Sequence, residues 1–365
     1  KEKEQKTQNE ATMAMLCKTS VITNIVRDTP KLGFNLGNFR ELRIDSKKEF
    51  DISTDSALFM ATLDPQKKID FFCNVYSFNE PSQVLKKYGW CGNKFVSDIE
   101  LYKEFRYLDG ESSFEWRQGI KHDAVKVMVL HQENGSFVND QNETAKLEDG
   151  LLYPFLKGSD LRRPIAPDSG ARTIVTMKSI PDQTDYIENE YPQTWAYLEL
   201  HSKDLDGRKS KIYSKMARFS IFGVGAYSFR PYKIAICSMY LEPKFSLVLP
   251  VYNKPVMLDD ISYFLSFDSL NEALFTWLLL NTKDVSEFLS SVVFENSKRL
   301  YTKELLMRIN FVKLAERRTF VELKKLFRIL SANSDLEIEL NEADYVNYVK
   351  TIRTDKEVFA SPIMT

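Results

Sequence analysis

Histidine and cysteine are scarce in this 365-residue chain: His122, His131 and His201, with Cys17, Cys73, Cys91 and Cys237. The cysteines are scattered, with no CxxC pair and no Cys/His cluster, which argues against a structural zinc site and a disulfide framework. Reduced thiols in a cytoplasm are the simplest account. No apolar run reaches the roughly 18 to 20 residues that span a bilayer, and no stretch has the pattern of a secretory signal. Glycine is sparse, at 13 residues, whereas 25 Phe and 17 Tyr favour a packed mixed core over a flexible array. Net charge is missing too: 50 basic against 51 acidic residues leave −1, so only a local patch can meet a polyanion.

Several catalytic signatures are also lacking. There is no GxSxG elbow. Two ExK triplets, Glu242-Pro243-Lys244 and Glu322-Leu323-Lys324, have no convincing Asp partner at a nuclease's spacing, and no histidine pair fits HExxH. Gly223-Val224-Gly225 follows Ser220-Ile221-Phe222, but a third glycine and a following helix pattern are missing. The pair therefore reads as a tight turn or bulge, not a cofactor loop.

One stretch stands out by its content. Between Arg208 and Lys233 the chain carries seven Lys or Arg, six aromatics and no Asp or Glu. Interleaved cations and aromatic faces suit nucleic acid. Trp116–Asp123 (WRQGIKHD) adds Arg and Gln that can reach base edges or phosphates, and Asp335–Asp344 (DLEIELNEAD) keeps acidic charge elsewhere. At 365 residues the chain has room for two domains, or one large domain with an appendage. Its charged opening KEKEQKTQNE, with Met13 the first methionine, reads as part of a longer polypeptide.

The short apolar run Met13–Cys17 reads as a buried strand, and Thr19 or Ser20 can cap a helix that runs to about Val26 and stops before Pro30. Antiparallel strands are expected at 39–45, 57–63 and 69–78, and a turn at Tyr88–Asn93. Strands follow at 151–156, 172–177, 219–222, 233–238 and 245–250, with a helix around Trp195–Leu205. The last third is helical: 271–280, 285–293 capped by Asp284, one opened by Thr302, and a long one over Leu314–Leu330.

Several blocks together resemble the C-terminal part of adenine-specific (N6) DNA methyltransferases of restriction–modification systems with a TaqI-like target-recognition domain. They are Met13–Val21 (MAMLCKTSV), Trp116–Asp123, Leu152–Asp160 (LYPFLKGSD), Asp206–Tyr213 (DGRKSKIY), Phe219–Lys233 and Phe294–Arg299 (FENSKR). Order and spacing hold from about residue 13 to about 312. In that family the first block follows an Asn-Pro-Pro-aromatic motif that binds the amino group of a flipped adenine. That motif and the glycine-rich S-adenosylmethionine loop are absent here.

The resemblance implies an α/β (mixed α+β) chain in three parts: a remnant of a Rossmann-like methyltransferase sheet over 1–80, a target-recognition domain over 81–312, and a helical segment over 313–365. It implies sequence-specific recognition of double-stranded DNA in the cytoplasm, alongside a catalytic half on the same polypeptide or a separate subunit. This chain alone would bind no cofactor and would not transfer methyl groups; S-adenosylmethionine would serve the intact enzyme. The expected DNA contacts are Arg208, Lys209, Ser210, Lys211, Tyr213 and Lys215, then Arg230 and Lys233. Arg117, Gln118, Lys121, His122, Lys157, Arg162, Arg163, Lys298 and Arg299 complete the set, with no metal ligand. The alternatives are a protein-interaction scaffold with a basic strip and an enzyme of unrecognised chemistry.

Overall fold

A computed structural model describes residues 11–31, 35–63, 70–133, 135–180 and 182–360, with side chains described to residue 353. The opening ten residues and Ile69 lie outside these. The fold is mixed α/β. It divides into two compact units: Lys1–Tyr107 with Ser286–Leu300, and Leu108–Val285 with Tyr301–Thr365.

The first unit is built on one sheet: β1 (Ala11–Lys18), β2 (Leu36–Ile44), β3 (Ser56–Leu63), β4 (Phe72–Ser77), β5 (Val84–Cys91) and β6 (Lys94–Val96), ordered β1-β3-β2-β4-β5-β6. The first three expected strands are present, but β4 runs parallel to β2. β3 lies between β1 and β2, so a chain that reverses direction after β3 enters on the far side of β2, parallel to it. The helix Thr19–Asp28 starts without a side-chain cap, since Lys18 occupies the cap position; it buries Ile22 and Val26 and gives way to a 3₁₀ turn containing Pro30. Those side chains join Phe39, Phe59, Val75 and Tyr88 in the core.

The expected turn at Tyr88–Asn93 is only Gly92-Asn93; Tyr88–Cys91 completes β5, and Gly89–Cys91 pairs with β6. Residue 80 therefore falls between two strands of one sheet. Ser286–Leu300 returns to this unit, where Phe294 stacks on Phe95 at 5.2 Å and meets the edge of Tyr88 at 5.8 Å. Glu41 is buried here. Its carboxylate accepts from the Tyr88 hydroxyl at 2.9 Å and from Arg43 Nε at 3.0 Å.

The second unit carries β7 (Arg117–Gln118), β8 (Val129–Glu133), β9 (Ser136–Asn139), β10 (Thr144–Ala145), β11 (Leu152–Leu156), β12 (Ala171–Ile174), β13 (Tyr232–Cys237), β14 (Ser246–Val248), β15 (Met257–Leu258) and β16 (Ser262–Phe267). They form two sheets, β10-β9-β8-β12-β11-β15 and β14-β13-β16-β7. Helix Pro192–Leu200 and the segment Phe219–Val224 contribute to the core of the first of these sheets. Helix Leu270–Leu280, capped by Ser269, buries every residue from Ala273 to Leu280 and carries the C-terminal helices. Asp284 is not a cap: the helix Lys283–Val292 begins before it, and its carboxylate pairs with Arg318. The expected long helix over Leu314–Leu330 is two, Phe311–Ala315 and Phe320–Ser331, because Thr319 and Glu322 form a capping box that starts a new helix.

Candidate nucleic-acid interface

Phe219–Phe222 is not a strand. Among its described backbone pairings is a single bridge, in which Lys121 and Phe222 exchange two N–H···O bonds of 2.8 Å each. Glycine permits this approach. A Cβ on Gly119 would stand 2.0 Å from the Asp259 carbonyl oxygen, and one on Gly223, at φ +74°, would stand 2.6 Å from the Gly119 carbonyl oxygen. Gly223-Val224-Gly225 thus serves the turn, as expected.

The two segments are fastened from beneath. Phe219 and Ile221 are fully buried; the Phe219 carbonyl accepts from Thr176 Oγ1 at 2.7 Å. Arg208 Nη1 donates to the carbonyls of Ser220 (2.6 Å) and His122 (3.2 Å), and its Nε donates to Leu205 (2.6 Å). Its guanidinium carbon lies 3.8 Å from the centre of the Tyr213 ring, whose hydroxyl donates to the Lys121 carbonyl at 3.0 Å. Arg208 is therefore a clamp across segments 119–123 and 205–222, with its Nε and Nη1 donors engaged by carbonyls. Burial lowers its pKa and raises that of Tyr213.

The remaining expected contacts sort by surroundings. Lys209, Lys211 and Lys215 are exposed, and among the described residues none has a salt bridge or hydrogen-bond partner for its ammonium; Ser210 is half-buried between them. Lys121 sits 3.5 Å from Asp123. Arg117 pairs with Glu115 and lies 4.8 Å from the Tyr227 ring centre, while Gln118 donates to the Asp260 carbonyl. Arg230 reaches Asp268 at 3.3 Å. Lys157 caps a turn in which Gly158 N–H donates to Asp259 at 2.9 Å, with Arg162 and Arg163 exposed beyond it.

Two expected contacts are interior residues. His122 is 4% exposed, and burial pushes its pKa down to about 4, so it is neutral. Lys233 is 1% exposed on the central strand β13, its Nζ donating to the Arg230 carbonyl at 2.8 Å; burial lowers its pKa to about 7. Neither presents a surface group. Lys298 and Arg299 belong to the other compact unit.

Sequence reasoning missed Phe222, which it placed in a core strand; the residue is 42% exposed. It also missed a polar cavity of about 150 Å³ in the first unit, lined by Thr19, Glu41, Arg43, Lys86, Tyr88 and Phe294. Burial depresses the Lys86 pKa there. Among the described residues no three His, Cys, Asp or Glu side chains come together as metal ligands, and no helix is long and apolar enough to cross a membrane.

Over 305 residues, 83% of its length, the chain is 38% identical to the Type II methyltransferase M.NspV of Nostoc sp. (strain ATCC 29411 / PCC 7524). The chain is a relative of the Type II methyltransferases. It spans 63% of M.NspV's length, and the aligned stretch is longer than either compact unit. No protein-family model matches. Among solved structures, that of the Type IIL restriction–modification enzyme MmeI in complex with DNA aligns over 99% of this chain and 48% of that one. The TM-score is 0.52 at 10% identity, a likeness of fold. The Type IIG restriction endonuclease BpuSI aligns over 95% and 47%, at 11% identity and TM-score 0.35.

Proposed function

We propose that this chain is the DNA-recognition part of an adenine-specific (N6) methyltransferase of a restriction–modification system, binding double-stranded DNA through the second unit. The observation that carries this reading is the 38% identity to M.NspV, a Type II methyltransferase, over 83% of the chain. The free cations Lys209, Lys211 and Lys215 on a clamped platform support it: cations without carboxylate partners can release DNA counterions on binding. Exposed Arg162 and Arg163 are further candidates for phosphate contact.

Catalysis and S-adenosylmethionine binding belong, in this reading, to a complementary catalytic half working in the cytoplasm. Support comes from β1, an edge strand of its sheet whose residues are only alternately half-buried, with Leu16 54% exposed. Among the described residues β1 pairs on one side only, with β3, and such an edge is suited to receive a further strand.

The test is duplex binding across a salt series. Affinity for one short sequence should exceed that for random duplexes, and log K should fall linearly with log salt. Binding insensitive to salt, or the absence of any sequence preference when the chain is joined to a catalytic half, defeats the proposal.

A further inference from the structure

We infer that Phe222 stacks on a base of the bound duplex; this rests on the DNA-binding reading above. Single exposed apolar side chains are ordinary on protein surfaces, but this one is held outward by its surroundings. Phe219, Ile221 and Val224 are buried on either side of it, and the Ile221 N–H donates to the Met177 sulfur at 3.4 Å. The backbone takes the left-handed conformation at Phe219 (φ 61°) and again at Gly223 (φ +74°), so the chain turns sharply before and after the ring. A non-glycine residue in that region is uncommon and is held there by its contacts. At Phe219 those contacts are the Thr176 hydrogen bond and the core beneath.

Lys121 stands directly opposite Phe222 in the two-bond bridge, so the two side chains project from the same face, the ammonium held 3.5 Å from Asp123. Tyr213 and Arg208 lock that bridge from the Lys121 side, and the unpaired Lys211 and Lys215 flank Tyr213 in sequence. An aromatic face beside cations on a rigid support is the chemistry that recognises a stacked or unstacked base next to its phosphates. The ring supplies the flat surface and the lysines the charge. Rigidity lowers the entropy lost when the ring engages.

The 365-residue chain, bound to a random-sequence duplex pool at low salt, tests this. Phe222→Ala should weaken binding about tenfold, the effect of losing one base–aromatic stack. The slope of log K against log salt should stay at the parent value, since no phosphate contact is removed. Phe222→Trp should retain affinity, and the introduced indole's emission should be quenched when duplex is added, beyond any change in the parent's own tryptophans. If Phe222→Ala binds as tightly as the parent, or the indole at this position is indifferent to bound duplex, the inference is overturned while the DNA-binding reading stands. If the parent does not hold duplex at low salt, both fall.

Discussion

Arg208 and Lys209 are neighbours of like charge with opposite surroundings, one clamping three carbonyls and the other free in solvent. Composition shows that the strip is basic, but an irregular segment has no periodicity to say which cation turns inward. Arg208→Ala should destabilise the second unit by about 2 to 4 kcal/mol, because the carbonyls of Ser220 and His122 lose a charged donor. Lys211→Ala should leave stability unchanged in a denaturant titration. Lys233 shows the same limit on a regular element: a lysine near the start of β13 reads as exposed, yet β13 is an interior strand between β14 and β16 and the residue is fully buried. Its pKa is lowered from 10.5 to about 7, so between those values the unfolded chain holds a proton that the folded chain has released. Stability therefore rises with pH across that window. Lys233→Met should be more stable than the parent at pH 7 by about 1 to 4 kcal/mol, the gain fading towards pH 10.5. His122, lowered from 6.5 to about 4, binds its proton later than the unfolded chain does; its contribution is complete above 6.5 and lost as pH falls to 4. His122→Gln should flatten that acid limb in pH-dependent thermal melts.

Elements with strong local signals were legible. A short apolar run marked β1 and alternation marked β3, each within a residue or two, although no residue of β1 is buried; the polar Thr302 marked the helix start that its side chain caps. Where contacts distant in sequence decide, the reading failed. Phe219–Phe222 alternates too weakly to name its partner, and its one bridge among the described residues is with Lys121, about a hundred residues earlier. The break between Phe311–Ala315 and Phe320–Ser331 was visible in retrospect as Thr319-x-x-Glu322, a capping box masked by the continuing leucines. Thr319→Ala should cost about 1 kcal/mol in thermal unfolding without affecting DNA binding. The acid-free strip behaves as two parts, a clamp with unpaired lysines and then a turn leading into core. Replacing Lys209, Lys211 and Lys215 together with alanine should reduce the salt slope of duplex binding by about 2 to 3.

At the scale of the whole molecule, the likeness in fold to MmeI spans 99% of the chain, and the mixed α/β class expected from the resemblance is the class observed. Division into units was less legible, because hydrophobic patterning reports which faces are buried and not which distant segment buries them. Nothing local to Ser286–Leu300 says that Phe294 covers Phe95. The discontinuity has a consequence in time. A ribosome delivers β1 to β6 nearly two hundred residues before it delivers their cover, so the first unit cannot close its core until most of the chain exists. During that interval the rings of Tyr88 and Phe95 lack the aromatic partner that shields them in the finished protein. A fragment ending at Tyr107 should bind a hydrophobic dye and aggregate, and a peptide spanning Ser286–Leu300 added in trans should suppress both. Synthesis order, and not only final stability, thus sets when this half of the protein is safe from misassociation.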